Sequence, residues 1–171
     1  GYNPDTAIGN VTISNIDKLK KYISKFSEKY KSQSLYFFGK NSTQKTTIAS
    51  WIGKELLLQE KSVHFLLMHK LVSILTRQDF EQHSKEEVQE YLNCDLLILD
   101  ECFDKEKVTI YKSGYQLPYL DDFLRQRMGS GKPIIFISNK PVESIKEEGY
   151  TESIYRLIYR TKQACLCSKY T

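Results

Sequence analysis

No apolar run in this chain approaches the roughly 18 residues needed to cross a membrane. The N-terminal GYNPDTAIGN lacks the basic and apolar regions of a signal peptide. Cysteine is scarce: four in 171 residues is too few for a disulfide scaffold. Cys165 and Cys167 are the only close pair, and C-L-C is not a zinc spacing. All four are therefore expected as reduced thiols, which fits a cytoplasmic protein. His64, His69 and His83 form neither H-x-x-x-H nor H-E-x-x-H, which argues against a histidine metal site. The sequence has no internal repeat and no low-complexity segment.

What is present is ordinary for one globular domain. The chain is 40% hydrophobic and 27% charged, and its length allows a full core. It opens at Gly1 without an initiator Met, which leaves room for an N-terminal domain upstream. The net charge of +4 is mild, but its distribution is uneven. Lys18, Lys20, Lys21, Lys25, Lys29 and Lys31 face only Asp17 and Glu28 in the same stretch. After Glu152 come Arg156, Arg160, Lys162 and Lys169 with no acid. Basic ends on a neutral middle suit a nucleic-acid contact, and equally suit a solvated lysine face.

Residues 1–14 are polar and turn-rich, a lead-in to one domain over 15–171. Leu19, Tyr22, Ile23, Phe26 and Tyr30 recur at helical spacing, which predicts an amphipathic helix over 15–31. Apolar runs predict strands over 34–38, 63–68, 95–101 and 133–138, with a last short one over 163–167. Helical patterns over 46–60, 71–77, 118–128 and 153–160 lie between them. The first of these should turn Ile48, Trp51, Ile52, Leu56 and Leu57 inward. Ser84-Lys-Glu-Glu reads as a serine-capped start of another helix. Residues 102–117 read as polar and irregular. Strands that are apolar throughout, alternating with helices, predict a mainly parallel sheet covered on both faces: a three-layer α/β fold.

Three segments carry chemistry. GKNSTQKTT, residues 39–47, nearly matches the phosphate-loop pattern G-x-x-x-x-G-K-[ST], with Gln44 where the second glycine belongs. It lies between an apolar strand and a helix, as a phosphate cradle requires. Lys45 would reach the β- and γ-phosphates, and Thr46 would join a Mg²⁺ shell. The strand LLILDE ends in Asp100 for the metal and Glu101 as general base. PIIFISN ends in Asn139, placed to orient water or touch the γ-phosphate; a plain turn before Lys140-Pro141 would look the same. All three stand at the C-terminal edge of a predicted strand, where open α/β sheets bind ligands.

On these residues the chain resembles the AAA+ ATPases of the DnaC/DnaI helicase-loader and IstB group, phage and mobile-element versions included. The matching pieces are the Walker A-like GKNSTQKT, the Walker B LLILDE, LDDFLRQRMGSGKPIIFISN with sensor-one Asn139, and SIYRLIYR. The resemblance implies a P-loop NTPase core that uses ATP and Mg²⁺. It implies Gly39, Lys40, Asn41, Ser42, Thr43, Gln44, Lys45, Thr46 and Thr47 around the nucleotide. It also implies an arginine finger acting in trans within a homo-oligomer, with Arg156 the best match and Arg160 the fallback. The implied role is loading a replicative helicase while binding single-stranded DNA, in a bacterial cell or phage-infected host. Residues 18–31 or the stretch from Lys70 to Arg77 would touch the DNA. The family's helicase-binding region is usually a separate N-terminal domain, here absent or trimmed, and no C-terminal lid is expected after Thr171, so the resemblance carries over to the ATPase core only.

Two other readings fit parts of the pattern. A viral or plasmid superfamily-three helicase also ends a strand in Ser-Asn, here Ser138-Asn139. A non-hydrolysing adaptor would explain Gln44, but has no use for Glu101. A simple nucleotide kinase would want a glycine-complete loop and an arginine-rich lid.

Overall fold

The computed structural model describes residues 13–40, 44–109, 113–161 and 165–167. Its strands are β1 (Leu35–Phe38), β2 (Val63–Leu67), β3 (Leu96–Asp100), β4 (Ile134–Ser138) and β5 (Cys165–Cys167). They form one sheet in the order β2-β3-β4-β1-β5, and every pair is parallel. Parallel pairing needs a crossover between strands, and the crossover helices cover both faces. Helices α1 (Ile13–Ser24) and α2 (Lys45–Leu58) lie on one face. Helices α3 (Met68–Arg77), α4 (Gln82–Asn93), α5 (Leu117–Gly129) and α6 (Glu152–Tyr159) lie on the other. The three-layer α/β expectation holds.

The apolar strands now have a reason. Leu96, Ile98, Ile135 and Ile137 point to the α1–α2 side, while Leu97, Leu99, Ile134 and Phe136 point to the other. Successive strand residues alternate faces, so burial on both sides demands an unbroken apolar run. Each such side chain contributes about 1.5–3 kcal/mol relative to exposure.

Local details depart from the sequence reading. The helix expected over 15–31 breaks after Ser24 into a π-helical turn, Phe26–Tyr30. The wider turn sets Tyr22 edge-to-face against Phe26 and tilted against Tyr30, with ring centroids 5.6 and 5.5 Å apart. On α2 the buried face is Ile48, Ala49, Ile52, Gly53 and Leu56; Trp51 is half-buried and Leu57 exposed. The small residues turn inward because the helix runs close to the sheet. A Cβ on Gly53 would stand 3.0 Å from Ile98 Cδ1 and 3.3 Å from Val63 Cγ1. Ser84 is not a cap: Glu81 holds that position, and the buried Ser84 hydroxyl donates to Glu81 Oε2 at 2.8 Å. The stretch after β3 is not simply polar, since Cys102, Phe103 and Val108 are core residues. Cys94 and Cys102 are free buried thiols, as expected. Among the described residues no helix is long and apolar enough to cross a membrane.

Candidate nucleotide site

Helix α2 begins at Lys45, directly beyond the C-terminal end of β1. Its first turn has no acidic residue, and Gln44 places no side-chain cap on it. The first N–H groups and the positive end of the helix dipole are thus turned to the sheet edge. Gln44 itself is left-handed, with φ 58° and ψ 18°. Gln44 therefore holds a backbone conformation that favours glycine, the residue the phosphate-loop pattern puts there. Asn41, Ser42 and Thr43, three of the expected loop residues, lie outside the described residues.

Lys45 Nζ donates to the carbonyls of Gly39 at 2.9 Å and Lys40 at 2.8 Å. The ammonium is thereby tied to the backbone just past β1. Partial burial pulls its pKa down from the ordinary lysine value, and the Asp100 carboxylate opposes that pull. Thr46 Oγ1 donates to Asp100 Oδ2 at 2.8 Å, which ties the start of α2 to the end of β3. Asp100 Oδ1 accepts the Glu101 N–H at 2.7 Å. Glu101 is half-buried, with φ 53°, a left-handed conformation unusual for a glutamate. Strand β4 runs between β3 and β1, so Asn139, just past Ser138, emerges between the Asp100 and Gly39 strand ends. Thr47 is exposed in the first helical turn. The expected site residues that the structure describes, Arg156 apart, thus gather at one edge.

The donor set suits Mg²⁺–ATP. A hydroxyl and a carboxylate in contact are hard oxygen ligands, and Mg²⁺ usually takes one or two of these plus substrate phosphates and water. Among the described residues no group of three or more His, Cys, Asp or Glu side chains forms a closed metal cage. Thr46 and Asp100 would hold the ion.

No family model and no curated protein matches the chain. Solved structures do. A DnaC helicase loader superposes with a TM-score of 0.76 at 18% identity, over 98% of this chain and 96% of that one. DnaI gives 0.73 at 17% identity, over 96% and 85%. AMPPCP-bound DnaA from Aquifex aeolicus gives 0.75 at 15% identity over 98% of this chain. This chain spans about half the length of that DnaA chain, at 50%. The fold is that of the DnaC- and DnaI-like AAA+ proteins.

Within this AAA+ fold, Arg156 stands apart from the loop. It lies on α6, which packs against α5, and its Nε donates to Glu152 Oε1 at 3.0 Å. With Arg125, Ser153 and Arg160 it lines a separate cleft. The two expected DNA-contacting stretches also fall on different surfaces. The lysines of residues 18–31 are exposed on the α1 side, whereas Lys70 and Arg77 are exposed on α3, across the sheet. Two residues escaped the sequence reading. Arg127 is fully buried on the core face of α5 beside Leu120, Phe123 and Leu124, although an arginine reads locally as surface. Glu148, which reaches both strand-end loops, carries no local signal.

The left-handed Gln44 gives a direct test. A non-glycine residue there costs about 1–2 kcal/mol. Glycine gives back about 0.4–1 kcal/mol through the freer unfolded chain. Gln44→Gly is therefore expected to stabilise the fold by about 0.5–1 kcal/mol, read as a higher urea midpoint at unchanged slope. A lower midpoint would mean that the Gln44 side chain holds the loop together.

Proposed function

We propose that this protein binds ATP with Mg²⁺ and hydrolyses it slowly, as an AAA+ helicase-loader-type protein of DNA replication. The observation that carries the reading is the Thr46–Asp100 hydrogen bond of 2.8 Å, which joins the helix start to the acidic strand end. In this reading the α2 N-terminus and Lys45 grip the phosphates. Mg²⁺ supplies positive charge on the β- and γ-phosphate oxygens when bound. Glu101 takes a proton from the attacking water, and Asn139 orients that water or the γ-phosphate. Arg156 leaves Glu152 to serve a neighbouring copy, so the active form is a homo-oligomer.

Single-stranded DNA is the proposed second ligand and a replicative helicase the proposed partner. The likeness to DnaC and DnaI supports the loader role, and DnaA solved with AMPPCP and single-stranded DNA supports the nucleic-acid role. On the α3–α4 side, Phe80 is 86% exposed near Arg77, an aromatic and a cation of the kind that stacks and steers bases. The protein itself would act in the cytoplasm of a bacterium or an infected host.

Calorimetry of ATP and ADP with Mg²⁺ tests the reading. The wild type is expected to bind, and Lys45→Ala to lose binding by about a hundredfold or more, the worth of a charge-assisted phosphate contact in a partly buried site. No binding by the wild type at millimolar ATP would end the ATPase reading and turn attention to a protein-gripping adaptor.

A further inference from the structure

Glu148 belongs to no helix or strand, yet its side chain is only 8% exposed. A buried carboxylate is tolerated when it is paired and hydrogen-bonded. Glu148 is both. Its Oε2 accepts the Lys105 N–H at 2.9 Å, and its Oε1 lies 3.4 Å from Lys140 Nζ. Lys105 follows Glu101 in the loop leaving β3, and Lys140 directly follows Asn139. One carboxylate therefore grips both segments that carry the proposed base and the proposed γ-phosphate sensor.

The surrounding bonds make the same join. Cys102 N–H donates to Ile137 O at 2.9 Å. Ser138 Oγ donates to Cys102 O at 2.6 Å and accepts the Lys140 N–H at 3.0 Å. Tyr36 OH donates to Lys140 O at 2.9 Å. Each of Glu101 and Asn139 thus has tied neighbours in the chain, while its own side chain stays at the sheet edge. Glu148 supplies the one charged tie among these, and it comes from a third segment, the turn before α6.

We infer that Glu148 is a positioning residue: through Lys105 and Lys140 it fixes the spacing of Glu101 and Asn139 across the phosphate site. The inference rests on the hydrolytic reading above. It also gives the turn before α6, and so the helix that bears Arg156, a mechanical link to the two strand ends. Misplacing a reacting group by a fraction of an ångström slows chemistry without weakening ground-state binding.

The test compares Glu148→Gln, Lys140→Met and the double variant with the full chain. Glutamine keeps an acceptor for Lys105 N–H and drops the charge that holds Lys140. Expected are kcat values lower by about tenfold for each single variant and no lower for the double. ATP affinity should stay at the wild-type value in all three and the melting midpoint should hold in Glu148→Gln, whereas Lys140→Met lowers the midpoint because it leaves the buried carboxylate without its cation. Hydrogen exchange of the Lys105 amide should remain slow in Glu148→Gln and quicken in Glu148→Ala, which reads the bond without turnover. A Glu148→Gln enzyme as fast as an active wild type overturns the inference alone. So does a loss of kcat that tracks equal losses of affinity and melting midpoint, the mark of a merely structural residue. A wild type that binds ATP but never turns it over overturns the inference and the hydrolytic reading together.

Discussion

Glu101→Gln is expected to lower ATP turnover by about 10²–10⁴-fold while leaving ATP affinity within about twofold, the range for removing a general base. In the proposed reading two adjacent carboxylates divide the labour. Asp100 is fully engaged: Oδ1 takes the Glu101 N–H and Oδ2 takes the Thr46 hydroxyl. In the proposed reading it is the metal-side ligand, and both of its oxygens already accept a hydrogen bond. The Glu101 carboxylate accepts no hydrogen bond from a described side chain, and its residue leaves the strand in a left-handed conformation, φ 53°. Glutamine is nearly isosteric, keeps the shape of the site and removes only basicity. Rapid-quench hydrolysis beside equilibrium ATP binding measures both quantities. Unchanged turnover would give the base to another group. Loss of affinity in proportion would make Glu101 a structural or ground-state binding residue instead.

The site was legible in the sequence because its parts sit at ends of elements with strong local signals. LLILDE announces its own strand end, and PIIFISN does the same for Asn139. A strand followed by a Lys-Thr helix start marks the loop even without its second glycine. The strand order was not legible, since placing β4 between β3 and β1 depends on how crossovers pack. Nor was the break after Ser24, because π-turn and α-helix bury nearly the same aromatic period. Gln44 misled only in identity: its backbone does what a glycine's would. Glu148 was invisible for another reason. Its partners, Lys105 and Lys140, are distant in sequence or sit in other loops, and a glutamate within Lys-Glu-Glu-Gly reads as surface. Burial of single charges is a tertiary property that local pattern does not report.

Arg127 shows the same limit at the centre of the fold, and its removal should be the most damaging change to stability. Its side chain is fully buried. Nη1 donates to the carbonyls of Tyr91, Leu92 and Cys94 at 2.8, 3.1 and 2.9 Å, and Nη2 donates to Pro133 O at 2.9 Å. The last carbonyls of α4 have no partner inside their own helix, so the guanidinium caps that helix from the core. It also meets the negative end of the α4 dipole and bolts the helix to the start of β4. Burial pulls the Arg127 pKa down, yet a guanidinium stays charged, and the four carbonyls replace the water lost by Nη1 and Nη2, while the buried Nε has no acceptor among the described residues. Each bond to a charged donor is worth about 1.5–3 kcal/mol, and each orphaned buried acceptor costs about 1–3 kcal/mol. Against these stands the cost of burying the charge, several kcal/mol, which substitution would recover. The balance predicts that Arg127→Ala loses about 3–5 kcal/mol. Arg127→Met is the discriminating variant, because it refills the volume and removes the charge while taking the charged donor from four carbonyls, of which Tyr91 O and Pro133 O keep only long contacts from Cys94 Sγ at 3.7 Å and Leu97 N–H at 3.4 Å. It is expected to lose about 3 kcal/mol, seen as a lower urea midpoint at unchanged slope. A Met variant as stable as the wild type would mean that Arg127 fills space, and that the α4 end is satisfied without it.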